Sequence, residues 1–131
     1  MTPEKLVRLA AEAMKKAYAP YSGYFVGAAL LTKEGKVYTG CNIENSAYGP
    51  TNCAERTAFF KAVSEGERDF AAIAVVGGKG GEITRIFPPC GVCRQVMQEF
   101  CDPDFLIHMG GKNGEIQTVS LENLLPYGFS L

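Results

Sequence analysis

Three cysteines in two short motifs have the residue types and the spacing of a metal site. Cys53 lies in residues 52–56 (NCAER), and Cys90 and Cys93 lie in residues 89–93 (PCGVC). Two cysteines with two residues between them can chelate one metal ion, and a third thiolate fills another corner of a tetrahedron. Zinc with three protein ligands keeps an open position, as catalytic sites do. We therefore expect one catalytic zinc ion per chain.

Glu55 lies two residues after Cys53 and is the only carboxylate beside the metal motif. An open zinc site makes a bound water more acidic, and a second group must then carry the water's proton. The only histidine, His108, lies in a strand pattern without a cysteine or carboxylate nearby, so we expect a partly exposed strand residue. Glu55 is therefore the candidate proton carrier. The simpler alternative is a first-turn glutamate that complements a helix dipole.

A fourth thiolate would instead produce a closed, structural zinc site. Cys101 lies eight residues beyond Cys93 on the same expected helix. That separation is roughly 12 Å at 1.5 Å per residue, so Cys101 cannot reach the same ion. Cys41 lies near a strand end and is harder to exclude. Glu55 and a spacing unlike that of zinc fingers favour the open site.

Both cysteine motifs fall at predicted helix starts, where free N–H groups and the helix dipole lower cysteine pKa values. Three thiolates and Zn²⁺ carry a net charge of −1, which would weaken the acidification of water. Arg56 can compensate by hydrogen-bonding the thiolate sulfurs. A solvated helix residue is an equally simple interpretation of Arg56.

Hydrophobic periodicity and capping residues predict nine elements in the order α-β-β-α-β-α-β-β-α. Strand–helix–strand crossovers imply parallel central pairs, and the two hairpins imply antiparallel edges. The predicted fold is a three-layer α/β/α sandwich with a mixed five-stranded sheet, in a single domain of residues 1–131. Helices are expected over 3–18, 53–65, 90–100 and 120–126, and strands over 24–32, 37–42, 70–76, 104–109 and 115–119.

Two loop segments also carry predictions. Residues 77–81 (GGKGG) lack the P-loop spacing and are expected to form a flexible surface connection. Thr51 or Asn52 is expected to cap the helix that begins near Cys53. Asn42 and Glu44 lie in the loop before this helix and could together bind the vicinal hydroxyls of a sugar, although ordinary polar loop residues have the same pattern.

Composition limits the classes of partner and compartment. The net charge is −1 and no block of Lys and Arg occurs, which argues against nucleic-acid binding and favours a small, near-neutral ligand. The amino terminus is charged and amphipathic, and no apolar stretch of about 20 residues occurs, so we expect neither a secretory leader nor a membrane span. Thiolate ligands then indicate the reducing cytoplasm.

The motifs together resemble those of the small, homotetrameric class of cytidine deaminases. The pattern C-x-E…P-C-x-x-C is a form of the zinc deaminase signature, and the resemblance covers almost the whole chain. It is carried by residues 18–22 (YAPYS), 26–30 (VGAAL), 40–45 (GCNIEN), 53–58 (CAERTA), 89–95 (PCGVCRQ) and 124–126 (LLP).

The resemblance implies roles for these residues. Cys53, Cys90 and Cys93 would be the zinc ligands, Glu55 the proton shuttle, and Arg56 the cation that neutralises thiolate charge. The ribose hydroxyls would be bound by Asn42 and Glu44, and the pyrimidine O2 by the backbone N–H of Ala54. Tyr24 stands where the family commonly has Phe against the base. Phe129 would close the site of an adjacent subunit in a homotetramer, whereas for an arbitrary domain the apolar tail would fold back onto its own core.

The implied reaction is hydrolytic deamination of cytidine or deoxycytidine to uridine or deoxyuridine with release of ammonia, as in pyrimidine salvage. An enzyme that deaminates blasticidin S also resembles this chain, but we do not expect its sugar loop to read Asn-Ile-Glu-Asn. The alternative from a different class is a non-catalytic module stabilised by zinc.

Overall fold

The computed structural model describes residues 1–131, and its helices and strands follow the predicted order. The helices are α1 (Pro3–Met14), α2 (Ala54–Ser64), α3 (Gly91–Phe100) and α4 (Leu121–Leu124). The strands are β1 (Tyr24–Thr32), β2 (Val37–Cys41), β3 (Phe70–Lys79), β4 (Leu106–Gly110) and β5 (Ile116–Ser120). A 3₁₀ turn, Lys112–Gly114, joins β4 to β5. None of the helices has both the length and the apolar character needed to cross a bilayer.

The five strands form one mixed sheet in the order β2-β1-β3-β4-β5. The pairs β1–β2 and β4–β5 are antiparallel, as the hairpins predicted. The expectation of parallel central pairs is only partly right, because β3–β4 is parallel whereas β1–β3 is antiparallel. The reason is that β1 lies between β2 and β3, so the crossover through α2 joins strands that are not neighbours.

The predicted three-layer sandwich is confirmed by the two hydrophobic clusters on opposite faces of the sheet. On one face Leu6, Ala10 and Met14 of α1 pack on small and branched residues of β1 and β3. On the other face α2, α3 and α4 pack against the alternate residues of the same strands. Phe59 of α2 lies at the centre of this second cluster, edge-on to Phe70 with 5.2 Å between ring centroids.

Two glycines allow helices to lie unusually close to the sheet. A Cβ on Gly27 of β1 would be 2.0 Å from the Ala10 carbonyl oxygen of α1. A Cβ on Gly40 of β2 would be 2.5 Å from the carbonyl oxygen of Ala54, in the first turn of α2. The first turn of α2 therefore packs directly against the backbone of β2.

Two predicted boundaries differ from the structure by more than two residues, and one predicted exposure is wrong. Helix α1 ends at Met14 rather than at residue 18, because the backbone N–H of Tyr18 donates to the Asn42 carbonyl oxygen at 3.0 Å. Strand β3 continues through residues 77–79, which were expected to be a flexible connection, because they pair with β1. His108 is buried, with its Nδ1 2.7 Å from the Thr118 hydroxyl.

Candidate active site and metal centre

Helices α2 and α3 each begin directly after a cysteine. Cys53 and Cys90 are the N-cap residues, and neither uses its side chain to cap its helix. The prediction of Thr51 or Asn52 as the cap of α2 is wrong, because Asn52 pairs with Ile43 and its Nδ2 donates to the Thr57 hydroxyl at 3.2 Å. Both thiols therefore remain free for another partner at the positive ends of two helix dipoles.

The three predicted metal-binding sulfurs come together. Sγ of Cys90 lies 3.7 Å from Sγ of Cys53 and 3.5 Å from Sγ of Cys93, and all three lie within 4.8 Å of one another. A tetrahedral zinc with Zn–S bonds of about 2.3 Å holds its sulfurs about 3.8 Å apart, so the group fits this ion. Neither Cys41 nor Cys101 belongs to the group. The closed, four-thiolate alternative therefore lacks its fourth sulfur.

Arg56 is directed at the sulfurs rather than into solvent. Its Nη2 donates to Sγ of Cys53 at 3.1 Å, and its buried Nε has no hydrogen-bond partner. The pKa of Cys53 is lowered to about 5, chiefly by a hydrogen bond from Cys93 and also by Arg56. The same hydrogen bond raises the pKa of the Cys93 thiol. The group therefore carries negative charge even before all three thiols are ionised, which suits a divalent cation.

Glu55 lies in the first turn of α2, immediately beside the sulfur group. Its side chain is enclosed, since the residue is only 4% exposed. Burial raises the pKa of its carboxyl to about 7, and the negative charge of Cys53 acts in the same direction. A buried carboxyl of this kind can both accept and release a proton near neutral pH.

A cleft of about 360 Å³ opens onto this group. Its metal side consists of Cys53, Ala54, Glu55 and Cys90. Ala54 is the first residue of α2, where a backbone N–H has no partner inside the helix. The cleft therefore has a hydrogen-bonding end at which a polar heterocycle could be bound.

Asn42 and Glu44 line another side of the same cleft. The side chain of Asn42 is fixed, because its Oδ1 accepts from the Val26 N–H and its Nδ2 donates to the Tyr24 carbonyl oxygen, both at 2.8 Å. Each of these amide atoms keeps one further hydrogen-bonding position. The two predicted sugar-binding residues and the metal group thus share one cavity.

Tyr24 and Phe129 do not line this cleft. Tyr24 borders a smaller pocket beside it, and its ring centroid lies 6.4 Å from that of Phe87. Phe129 is 69% exposed, so its ring is not packed against the core of its own chain, contrary to the alternative expected for an arbitrary domain. Its carbonyl oxygen accepts from Nε2 of Gln95, which anchors the tail to α3.

Phe87 supplies an apolar wall of the cleft that our sequence analysis did not identify. It lies against Gly77, where a Cβ would be 3.1 Å from the Phe87 ring. The available signal was an aromatic residue three positions before Cys90. Arg94, also missed, holds the second cysteine motif by donating to the carbonyl oxygens of Pro89 and Leu124, each at 2.8 Å.

An α/β/α sandwich that carries three thiolates and a buried glutamate at the starts of two helices defines a zinc-binding deaminase. The family model described as the cytidine and deoxycytidylate deaminase zinc-binding region matches residues 1–109. The chain belongs to this deaminase family, whose cofactor is zinc.

Proteins similar to this chain match it over nearly its whole length. A cytidine deaminase of Sporosarcina psychrophila is 51% identical over 130 residues, covering 99% of this chain and 93% of that protein. A cytidine deaminase of Halalkalibacterium halodurans is 52% identical over 130 residues, covering 99% and 96%. The crystal structure of cytidine deaminase from Burkholderia pseudomallei has a TM-score of 0.91 at 49% identity, covering 98% of this chain and 100% of that one.

Proposed function

We propose that this chain hydrolyses the exocyclic amino group of cytidine and deoxycytidine, producing uridine or deoxyuridine and ammonia. The observation that carries the proposal is one cleft that holds Asn42 and Glu44 on one side and Glu55 with the sulfur group on another. The first pair has the chemistry to bind a sugar, and the second has the chemistry to activate water.

Cys53, Cys90 and Cys93 would hold the zinc ion. When bound there, zinc supplies a Lewis acid that lowers the pKa of a water molecule in the site. Glu55 accepts a proton from this water and delivers it to N3 of the base. The resulting hydroxide attacks C4. Glu55 then takes the remaining proton from the new C4 hydroxyl and passes it to the amine, the C4–N bond breaks as the C4 carbonyl forms, and one water is consumed for each ammonia released.

The remaining residues hold the substrate and balance the charge. Asn42 and Glu44 bind the sugar hydroxyls, and the Ala54 N–H binds O2 of the pyrimidine. The contact of Arg56 with Cys53 offsets part of the thiolate charge and thereby keeps the centre sufficiently electrophilic. Phe87 and Val26 cover the apolar faces of the base and exclude bulk water.

The decisive experiment follows the loss of cytidine absorbance and the release of ammonia. Glu55→Gln should retain zinc but lose about 10²- to 10⁴-fold in turnover, because an amide has the same shape and cannot carry the proton. Glu65→Gln, the same change at an exposed position at the end of α2, is the matched control. Near-normal turnover by zinc-loaded Glu55→Gln, or turnover of blasticidin S in preference to cytidine, would contradict the proposal.

We also propose that the protein acts as a homotetramer in which Phe129 reaches the cleft of a neighbouring subunit. The support is an apolar tail that this chain leaves uncovered, with Tyr127, Phe129 and Leu131 all exposed. An aromatic ring over the base would add stacking area and exclude water from the charged transition state.

Light scattering and kinetics together test this arrangement. Phe129→Ala should lower kcat/KM while the tetramer persists, whereas Leu131→Ala should lower it much less. A wild-type protein that is an active monomer at the assay concentration would rule out the shared site.

A further inference from the structure

The segment between α1 and β1 is paired with the loop that follows β2. The Tyr18 N–H donates to the Asn42 carbonyl oxygen at 3.0 Å, and the Glu44 N–H donates to the Tyr18 carbonyl oxygen at 2.8 Å. These bonds bring Tyr21 and Ser22 against the Glu44 side chain. The loop that carries Asn42 and Glu44 therefore depends on residues about twenty positions earlier in the chain.

The Glu44 carboxylate is already largely occupied within its own chain. Its Oε1 accepts from the backbone N–H groups of Tyr21 at 2.9 Å and Ser22 at 3.1 Å. Its Oε2 accepts from the Ser22 hydroxyl. A carboxylate offers about four acceptor positions, so one position remains, and it is on Oε2.

The direction of the Ser22 hydrogen bond is determined by its neighbours. The Ser22 Oγ accepts from the Tyr24 N–H at 3.0 Å. Its single proton is directed at Glu44. The hydrogen bonds from Ser22 and Tyr21 lower the pKa of the Glu44 carboxyl, so this group stays ionised and can only accept a hydrogen bond. Ser22 thus links the first residue of β1 to the carboxylate, and it fixes the rotation of the carboxylate plane.

We propose that Ser22 is a positioning residue of the sugar subsite, which holds Glu44 so that a single acceptor position on Oε2 is left for one sugar hydroxyl. The inference rests on the proposed nucleoside deamination and adds a residue that does not line the cleft. It implies that Glu44 binds one hydroxyl and cannot bind both vicinal hydroxyls at once. Without Ser22, Oε2 would have two free positions and the carboxylate could rotate.

The test combines variants at this position with substrates that lack one hydroxyl. Ser22→Ala should raise KM for cytidine about 2- to 10-fold, the range expected for one hydrogen bond of ordinary net strength, with kcat nearly unchanged. Ser22→Thr keeps the hydroxyl and should restore KM. Ser64→Ala also removes a hydroxyl that bonds its own chain, at the far end of α2, and should match the wild type.

The substrate series separates positioning from a general structural effect. In the wild type, one of the two substrates 2′-deoxycytidine and 3′-deoxycytidine lacks the hydroxyl that Glu44 binds, and that substrate should show a raised KM. In Ser22→Ala the same hydroxyl deletion should raise KM by a smaller factor, because its contact is already weakened. Calorimetric binding of uridine should show the same pattern without turnover.

Three results would overturn the assignment of Ser22. They are an unchanged KM in Ser22→Ala, a Ser22→Thr variant that behaves like Ser22→Ala, or equal hydroxyl-deletion effects in Ser22→Ala and the wild type. These results leave an active wild-type enzyme and so do not affect the proposed reaction. A wild-type enzyme that neither turns over cytidine nor binds uridine overturns the proposed function, and with it the subsite that Ser22 would serve.

Discussion

Gly40 determines how closely the first turn of α2 can approach the sheet. A Cβ at this position would lie 2.5 Å from the Ala54 carbonyl oxygen and 2.6 Å from the Ala58 nitrogen, both of them backbone atoms. Ordinary contacts between such atoms begin near 3.5 Å, so Gly40→Ala requires a displacement of about 1 Å. A rotamer change cannot relieve this contact. The start of α2 must move relative to β2, and it carries Cys53 and Glu55.

The displacement should affect both stability and catalysis. Overpacking of this kind typically costs about 1–3 kcal/mol of folding free energy. A misplacement of about 1 Å can cost about 100-fold in rate, so we expect kcat/KM for cytidine to fall about 10- to 100-fold. Zinc content should be measured in parallel, because Cys53 moves with Glu55.

The assays are urea unfolding and initial rates of cytidine deamination for the wild type, Gly40→Ala and Gly49→Ala. Gly49 is the matched control, since a Cβ there meets no atom within 4 Å. A Gly40→Ala protein with the unfolding midpoint and kcat/KM of the wild type would refute the claim that close backbone approach positions the catalytic helix.

Three further outcomes follow from the site. Elemental analysis and X-ray absorption should find one zinc ion per chain bound by three sulfurs, with Cys101→Ala unchanged; four sulfurs would indicate a structural ion. Glu44→Ala should raise KM for cytidine about 10- to 100-fold, since a charge-assisted hydrogen bond is lost, and an unchanged KM would remove Glu44 from the sugar subsite. Tyr24→Phe should leave kcat and KM within about twofold, as for other substitutions without a buried partner; a larger loss would assign a role to the phenol oxygen.

The order of the elements was predictable because each depends on residues close together in sequence. Thr2 and Pro3 begin α1 as expected, with the Thr2 hydroxyl accepting from the Lys5 N–H at 3.2 Å. The glycines at 77 and 78 were misinterpreted because their strand partners in β1 lie about fifty positions earlier. Periodicity gives no information about such a partner, nor about the insertion of β1 between β2 and β3.

The same distinction applies to the site. The sulfur group and Glu55 could be predicted because ligand spacing and helix starts are local patterns. Phe87 and Ser22 could not be assigned from local patterns, since the first becomes a cleft wall only through Gly77 and the second contacts Glu44 across 22 positions. Residues that line or support a cleft from separate segments of the chain can be identified only from the tertiary structure.

The two cysteine motifs also have a consequence for how the chain folds during synthesis. Cys53 and Cys90 are 37 positions apart, and the segment between them contains all of α2 and β3. An ion that bridges them closes this segment into a ring, and a cross-link of that size removes conformational entropy from the unfolded chain worth about 4 kcal/mol at 25 °C. The ring cannot close until the second motif has left the ribosome, and by then all of β1, β2 and β3 have already emerged. Zinc therefore constrains the nascent chain only late, after α1 and the first three strands have had the opportunity to associate without it.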